Sequence, residues 1–184
     1  MRFSFETTQW LPYPPELVFA FFANPENLPR LMPKWQSARI EEAVFAPPPP
    51  RPVGSPRYPG MSAGNGTRLT IGIRPFPLAP FRMPWEAEIE DFRWNEGFCD
   101  VQLRGPFKYW RHCHTVTAAA SPANPLLFGT TLRDHVEYEL PVGPLSALAN
   151  LLAVKHGLGY VFRYRQERTE QLLALATGRV RAGS

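Results

Sequence analysis

Along most of the chain, apolar and polar residues alternate with a period of two, which is the pattern of a strand that buries one face. In the clearest example, Leu69, Ile71 and Ile73 face one way, while Arg68 and Thr70 face the other. The alternation predicts seven strands. They cover residues 3–7, 36–45, 68–74, 85–90, 98–103, 109–118 and 127–140.

Two short helices are predicted directly after the first strand. Pro14 and Pro15 suit a first helical turn, in which no backbone N–H donor is needed. Asn24 followed by Pro25 ends that helix. A second short helix is then predicted from Pro25 to Met32.

A long helix is predicted near the C-terminal end of the chain. From Tyr160 to Ala176, apolar residues are spaced so that they share one face, and Gly178 is placed to end the helix. We expect Gly157 and Gly159 to interrupt the apolar segment that precedes it. Residues 144–154 then form either a separate short amphipathic helix or an irregular stretch.

This order of elements predicts an α+β fold. A seven-stranded antiparallel sheet has one apolar face to cover, and a single amphipathic helix covers it if the sheet curves around the helix. A curved sheet of this kind does not need to fill its concave side completely. It therefore leaves space for an internal ligand cavity.

Chain length and proline content indicate one domain that contains a long loop. The 184 residues fall within the size of a single domain, which we place at residues 1–178, with 179–184 as a tail. Of the 22 prolines, seven lie between positions 47 and 59. Because consecutive prolines favour extended backbone, we interpret residues 47–62 as a stiff loop inside the domain.

Charge and targeting features restrict the class of protein. The formal net charge is +4, but the basic residues are scattered rather than gathered, which disfavours a nucleic-acid-binding surface. The first ten residues lack the apolar stretch of a signal peptide. The longest apolar run, residues 145–154, has about half the length of a membrane span. We therefore expect a cytoplasmic protein without an integral membrane segment.

Polar residues are predicted on the inner face of the last two strands. In the sixth strand, Trp110, His112 and His114 share one face, and Trp110 marks that face as the inner one. In the seventh strand, Asp134 shares a face with Tyr138 and with aliphatic residues. A symmetric antiparallel pairing of the two strands places His112 opposite Asp134.

A buried carboxylate must be paired, hydrogen-bonded or protonated, because an unpaired buried charge costs on the order of several kcal/mol. Three roles stay open for His112 and Asp134. They form a structural pair that positions the last helix, a polar spot that orients a ligand, or a general acid and base in catalysis. Asp100 and Gln102 share a strand face that we expect to be solvated.

Neither a metal site nor a cofactor is predicted. His112 and His114 have a spacing that suits metal ligands, but Asp134 is the only evident third ligand. Cys99 and Cys113 lack metal-ligand spacing, and two cysteines are too few for a disulfide framework. We expect Cys113 to be an inert, half-buried thiol.

The candidate ligand-binding residues are those predicted on the inner face of the sheet and on the last helix. They are Ile71, Trp85, Trp110, His112, His114, Asp134, Tyr138 and Phe162.

Several segments resemble the START / Bet v 1-like (SRPBCC) superfamily, which includes the polyketide cyclase/dehydrase and lipid-transport proteins. They are Val18–Phe21, Asn24–Leu28, Leu31–Pro33, Phe98–Phe107, Trp110–His114, Thr131–Pro141 and Phe162–Arg165. The likeness covers residues 3–175, and its most specific parts are the W-x-H-x-H and D-x-V-x-Y-x-L motifs in the last two strands. It is to a bacterial branch whose members occur alone or fused ahead of a sugar-nucleotide-epimerase-like domain. Phe22 stands where a histidine is expected in this branch, and the proline loop is longer than usual.

The resemblance implies a helix-grip fold around a cavity for an apolar or amphipathic small molecule, but no particular reaction. Three functional hypotheses follow. The first is binding of a lipid- or polyketide-like molecule without catalysis. The second is an aromatase/cyclase- or dehydratase-like enzyme with His112 and Asp134 as its acid–base pair. The third is an auxiliary interaction domain for an epimerase-like partner, with residues 145–154 and the proline loop as docking surfaces. Association of two copies of this chain into a homodimer is a further possibility.

Overall fold

The computed structural model describes residues 1–141, 143, 146–149 and 153–178. Its strands are β1 (Arg2–Leu11), β2 (Arg39–Val44), β3 (Arg68–Ile73), β4 (Met83–Arg93), β5 (Gly97–Arg104), β6 (Tyr109–Ala120) and β7 (Phe128–Glu139). Its α-helices are α1 (Pro15–Ala23), α2 (Ser146–Ala149) and α3 (Lys155–Ala176), and two 3₁₀ helices cover Pro25–Leu31 and Lys34–Gln36.

The strands form one antiparallel sheet in the order β1-β7-β6-β5-β4-β3-β2. Strands on both sides of the proline loop belong to this sheet, since β2 pairs with β3 across it. The predicted α+β helix-grip fold is confirmed: a curved seven-stranded antiparallel sheet holds a long C-terminal helix, and short helices follow the first strand. None of the helices in the described part of the chain has the length and apolar character needed to cross a membrane.

The long helix begins earlier than the sequence predicts. α3 starts at Lys155 and continues through Gly157 and Gly159, so the predicted interruption is wrong. A glycine inside a helix costs about 1 kcal/mol relative to alanine. Burial of Leu158 and Phe162 on the same helical turns stabilises the fold by roughly 1.5–3 kcal/mol for each side chain. That gain outweighs the cost of the glycines.

Two parts of the predicted C-terminal region lie outside the described residues. Of the stretch 144–154, α2 accounts for 146–149, while 144, 145 and 150–152 are not among the described residues. The predicted tail, 179–184, also lies outside them. Gly178, with a φ of +65°, follows α3 at the predicted position.

Two groups of apolar side chains hold α3 against the concave face of the sheet. Toward the C-terminal end of α3, Leu172 and Leu173 pack in a core cluster with Phe19 of α1. Toward its N-terminal end, Leu158 and Phe162 pack in a second cluster that contains Tyr138. Leu158 and Phe162, together with Arg165 one turn further on, also line a cavity beneath this half of the helix.

The close approach of β5 and β6 depends on a glycine. A Cβ atom placed on Gly97 would lie 2.2 Å from the backbone oxygen of His114, a distance that real Cβ atoms do not adopt. Glycine therefore permits the register in which Gly97 lies opposite Thr115 and, three residues later, Asp100 lies opposite His112.

Candidate ligand-binding site

A cavity of about 410 Å³ lies between the concave face of the sheet and α3. Its volume falls in the range of roughly 300–1,000 Å³ that is usual for small-molecule sites. Six of the eight side chains proposed from the sequence as ligand-binding residues line it. They are Ile71, Trp85, Trp110, His112, His114 and Phe162.

The other two proposed residues lie behind this lining. Asp134 and Tyr138 are 4% and 1% exposed, and neither contributes to the cavity wall formed by the described residues. Tyr138 packs against Trp110 and Phe107, and burial raises the pKa of its hydroxyl. Its position is that of a core residue.

Four polar side chains meet at one wall of the cavity, and we call them the His–Asp cluster: Asp100, His112, His114 and Asp134. His112 stands between two carboxylates, with its Nδ1 atom 3.1 Å from Oδ1 of Asp100 and its Nε2 atom 2.9 Å from Oδ1 of Asp134. His112 is 2% exposed. The two imidazole rings are in contact, with 4.2 Å between their centroids.

His114 is held by packing more than by hydrogen bonds. Its buried Nδ1 atom lies 2.7 Å from Oδ1 of Asp134, but it makes no aligned hydrogen bond among the described residues. The rings of Phe22 and Phe98 lie 5.0 and 4.9 Å from the His114 ring. Phe22, which stands where a histidine was expected, therefore places an apolar ring beside the cluster.

The register of β6 and β7 differs from the predicted one by two residues. His114, not His112, lies opposite Asp134, and His112 lies opposite Val136. The loop between the strands is centred on Asn124, where backbone hydrogen bonds close a tight turn. Because neighbours two residues apart on a facing strand remain within reach of long side chains, His112 still contacts Asp134.

The expectation that Asp100 is solvated is wrong. Its carboxylate faces the cavity, contacts His112 and accepts a 3.3 Å hydrogen bond from Nε1 of Trp110. The signal that was missed is Phe98, which has the same parity on β5 and is 7% exposed. Gln102 also has a structural role, since its side-chain amide donates to the backbone oxygen of Phe107.

The environment separates the charge states of the two histidines. Burial lowers the pKa of His112, but the charges and hydrogen bonds of Asp100 and Asp134 outweigh it and raise the pKa above 6.5. For His114, burial and the positive charge of His112 lower the pKa to about 4. The surroundings therefore favour the imidazolium form of His112 and the neutral form of His114.

Both carboxylates stay ionised within the cluster. Burial raises the pKa of Asp134, but the opposing effects of His114 and His112 are larger together and hold it below its usual range. Burial likewise raises the pKa of Asp100, and His112 more than offsets this effect, so the pKa is lowered. Among the four cluster groups, two negative charges face one positive charge, and Arg165, which also lines the cavity, adds a second positive charge.

A disulfide joins β5 and β6 on the face opposite to the cluster. Cys113, between the two histidines, points away from the cavity and is bonded to Cys99, with 4.0 Å between their Cα atoms. The expectation of an inert thiol at Cys113 is therefore wrong. The register explains the bond, because Cys99 lies directly opposite Cys113.

The fold and the mostly apolar cavity beneath its long helix define a protein of the Bet v 1-like helix-grip class. The chain belongs to the polyketide cyclase / dehydrase and lipid transport family, whose model matches residues 11–155. A comparison with curated proteins gave no significant match.

Solved structures of the same fold are distant in sequence. Norcoclaurine synthase from Thalictrum flavum is 11% identical with a TM-score of 0.59, covering 94% of this chain and 87% of its own. Ara h 8.0201 is 14% identical with a TM-score of 0.54, covering 92% and 98%. Protein SA2116 from Staphylococcus aureus is 10% identical with a TM-score of 0.64, covering 97% of both chains. At these identities, the likeness establishes the fold alone.

Proposed function

We propose that this protein binds an amphipathic, lipid- or polyketide-like molecule inside the cavity. The apolar body of the ligand contacts Ile71, Trp85 and Phe162, and its polar group contacts Asp100. The observation that carries the proposal is the combination of an apolar cavity of about 410 Å³ with polar groups at one wall. The description of the family, which includes lipid transport, supports the same ligand class.

The chemistry of the cluster narrows the polar group of the ligand. The Asp100 side chain is 25% exposed, whereas those of His112 and Asp134 are 2% and 6% exposed, so Asp100 is the carboxylate that a ligand meets first. An ionised carboxylate only accepts hydrogen bonds. We therefore expect a hydroxyl or ammonium group on the ligand rather than a carboxylate.

The acid–base alternative is less well supported. Both ring nitrogens of His112 lie within hydrogen-bond distance of protein carboxylates, which leaves neither nitrogen free to take a proton from a substrate. The interaction-domain alternative involves residues 145–154, of which only part is described. That alternative, the homodimer, the bacterial branch and the cytoplasmic location stay predictions.

Displacement of a fluorescent probe tests the proposal. Nile red, a neutral dye that responds to apolar surroundings, is bound to the protein in EDTA and displaced by three ligands with the same alkyl chain: dodecylamine, dodecanol and dodecanoate. We expect the amine and the alcohol to displace the dye at lower concentrations than the carboxylate. In Asp100→Asn, this preference should disappear because the ionised acceptor is gone.

A matched pair of variants locates the binding. Ala87 lines the cavity, so Ala87→Phe fills part of it, whereas Ala120 is exposed at the end of β6 and Ala120→Phe adds the same ring outside. We expect Ala87→Phe to weaken dye binding by about tenfold or more and Ala120→Phe to leave it unchanged. Ile71→Phe is a second filling variant if the first does not fold. Unchanged binding in both filling variants would refute an internal site.

A further inference from the structure

Beyond the binding of an organic ligand, we infer that Asp100, His112 and His114 form a site for a divalent transition-metal ion, with Asp134 holding the two histidines from behind. One ring nitrogen of each histidine and one carboxylate oxygen of Asp100 all lie within 4.8 Å of one another. Two imidazoles and one carboxylate are a ligand set found in zinc and non-haem iron sites. The sequence offered no third ligand besides Asp134, and the inward orientation of Asp100 supplies it.

One distance between two ligand atoms of the cluster is close to that in a metal site. Zinc binds nitrogen and carboxylate oxygen at roughly 2.0–2.2 Å, so two ligand atoms of a tetrahedral ion stand about 3.4 Å apart. Nδ1 of His112 and Oδ1 of Asp100 are 3.1 Å apart. An ion therefore enters between them with a small outward shift of the carboxylate, and it takes the place of the proton that the two atoms share.

Asp134 occupies the position of a supporting carboxylate. A histidine that binds a metal through one ring nitrogen commonly presents the other to a carboxylate, which fixes the orientation of the ring. Oδ1 of Asp134 lies 2.9 Å from Nε2 of His112 and 2.7 Å from Nδ1 of His114, so one buried oxygen contacts both rings. This arrangement leaves Nδ1 of His112 and Nε2 of His114 for the ion.

The charge balance of the cluster also favours a cation here. When the ion takes the place of the proton that His112 shares with Asp100, both histidines are neutral. The two carboxylates, Asp100 and Asp134, then face one guanidinium among the described residues, that of Arg165, which lies over the ring of Phe162 at 5.3 Å. The ion offsets the negative charge that remains.

The site has an open side. Asp100, His112 and His114 all line the cavity, so an ion bound to them keeps a coordination position that faces the ligand space. Zinc sites with three protein ligands and one open position bind a water molecule or a ligand oxygen there. A bound ion would favour an anionic oxygen, such as a carboxylate or phenolate, and so reverse the preference expected of the metal-free cavity.

Metal titration tests the inference without reference to any activity. The untagged protein is freed of metal with EDTA, the chelator is removed, and ZnCl₂ is titrated by isothermal calorimetry. We expect one zinc per chain, with binding weakened by about tenfold or more in Asp100→Asn and His114→Gln and by roughly 10–100-fold in Asp134→Asn. His156→Gln is the matched control, because His156 is an exposed histidine on α3.

Cobalt(II) provides a second readout. Its visible absorption intensifies in a four-coordinate site, and we expect this signal in the wild type and in His156→Gln but not in His114→Gln. Absence of stoichiometric zinc binding, or equal affinity in Asp100→Asn, His114→Gln and the wild type, would overturn the inference. Circular dichroism identifies any variant that fails to fold. The metal affinities of the folded variants then decide whether the inference holds. The dye displacement is measured in EDTA, so a failure of the metal site leaves that result intact.

Discussion

Residues on the two faces of β7 make the same kinds of charge contact in opposite surroundings. On the inner face, Asp134 contacts two histidines and is 4% exposed. On the outer face, its neighbours Arg133 and His135 contact Glu6 of β1, at 2.5 and 3.3 Å. The side chains of this outer group are 34–48% exposed. The distances are comparable, so the difference between the two groups is the access of water.

That difference decides what each contact is able to do. Exposed pairs are screened by solvent and salt, so the outer group adds little to stability, even though hydrogen bonds from Arg133 and His135 lower the pKa of Glu6 to about 2. In the inner group, burial makes each partner necessary to the others, because an unpaired charge there has no water to replace its partner. Only the inner group is placed to act on a ligand.

The largest expected effect is that of removing the inner carboxylate. We expect Asp134→Asn to lower the free energy of unfolding by about 3–5 kcal/mol, since it leaves a buried imidazolium with one carboxylate instead of two. Urea denaturation of the metal-free protein at neutral pH measures it. Glu6→Gln, which removes the outer carboxylate in the same way, is the matched control. An Asp134→Asn variant as stable as this control would show that burial does not separate the two groups.

The second prediction concerns the dependence of stability on pH. His114 has a folded-state pKa of about 4 against about 6.5 when unfolded, so the unfolded chain binds a proton more readily between these values. Stability is therefore lost as the pH falls from 6.5 to about 4, by about 3 kcal/mol at roughly 1.4 kcal/mol per pKa unit. His112 has a raised pKa, so the stability it adds is complete below pH 6.5 and is lost as the pH rises through its folded-state pKa.

Together, these shifts predict maximum stability of the metal-free protein near pH 6.5. Thermal or urea unfolding across pH 4–8 measures the profile, and His114→Gln should flatten its acid side. His135→Gln, a change on the outer face, should leave both slopes unchanged. A wild-type profile that stays level between pH 4 and 6.5 would contradict the assignment of a neutral, buried His114.

The third largest expected effect is that of removing the disulfide between β5 and β6. The disulfide between Cys99 and Cys113 closes a loop with a sequence separation of 14. The loss of chain entropy in the unfolded state predicts that a bond closing a loop of this size stabilises the protein by about 3 kcal/mol at most, and engineered bonds often stabilise less. We expect Cys99→Ala/Cys113→Ala to lower the free energy of unfolding by about 2–3 kcal/mol. Nile red binding should be kept, because the bond faces away from the cavity.

The reduced wild type is the control for this variant, and we expect its free energy of unfolding to fall by the same amount. Loss of dye binding in the double variant would show that the bond shapes the inner face as well. Disulfides are typical of oxidising compartments and rare in the cytosol, so the bond itself is at odds with the predicted cytoplasmic location.

Much of this arrangement could be predicted from the sequence because side-chain direction in a strand depends only on parity. The alternation around His112, His114 and Asp134 places all three on the inner face, and the structure agrees. For Asp100 the wrong face of β5 was taken as the inner one, because Val101 and Leu103 suggested that their own face is buried. Leu103 is 51% exposed, and the aromatic Phe98 was the better guide.

Register could not be predicted in the same way. A shift of two residues keeps every side chain on its face, so the hydrophobic pattern does not distinguish His112 from His114 as the residue opposite Asp134. That choice depends on the backbone hydrogen bonds of the loop from Ser121 to Leu127. The meeting of Asp100 with His112 depends on a second register, between β5 and β6, which periodicity leaves equally open.

The smallest expected effect is that of breaking the outer pair. Arg133→Gln removes the 2.5 Å contact with Glu6, and we expect no measurable change in the urea midpoint, because both partners remain hydrated. Raising the salt to about 1 M, where the screening length is roughly 3 Å, should likewise leave the wild type and this variant indistinguishable. His112 and its two carboxylates are shielded from that salt by burial, so the effect of Asp134→Asn should persist at the same concentration. If Arg133→Gln lowered the free energy of unfolding as much as Asp134→Asn does, the contacts themselves would determine how much a charge pair on this strand stabilises the protein. The access of water would then not be the deciding factor.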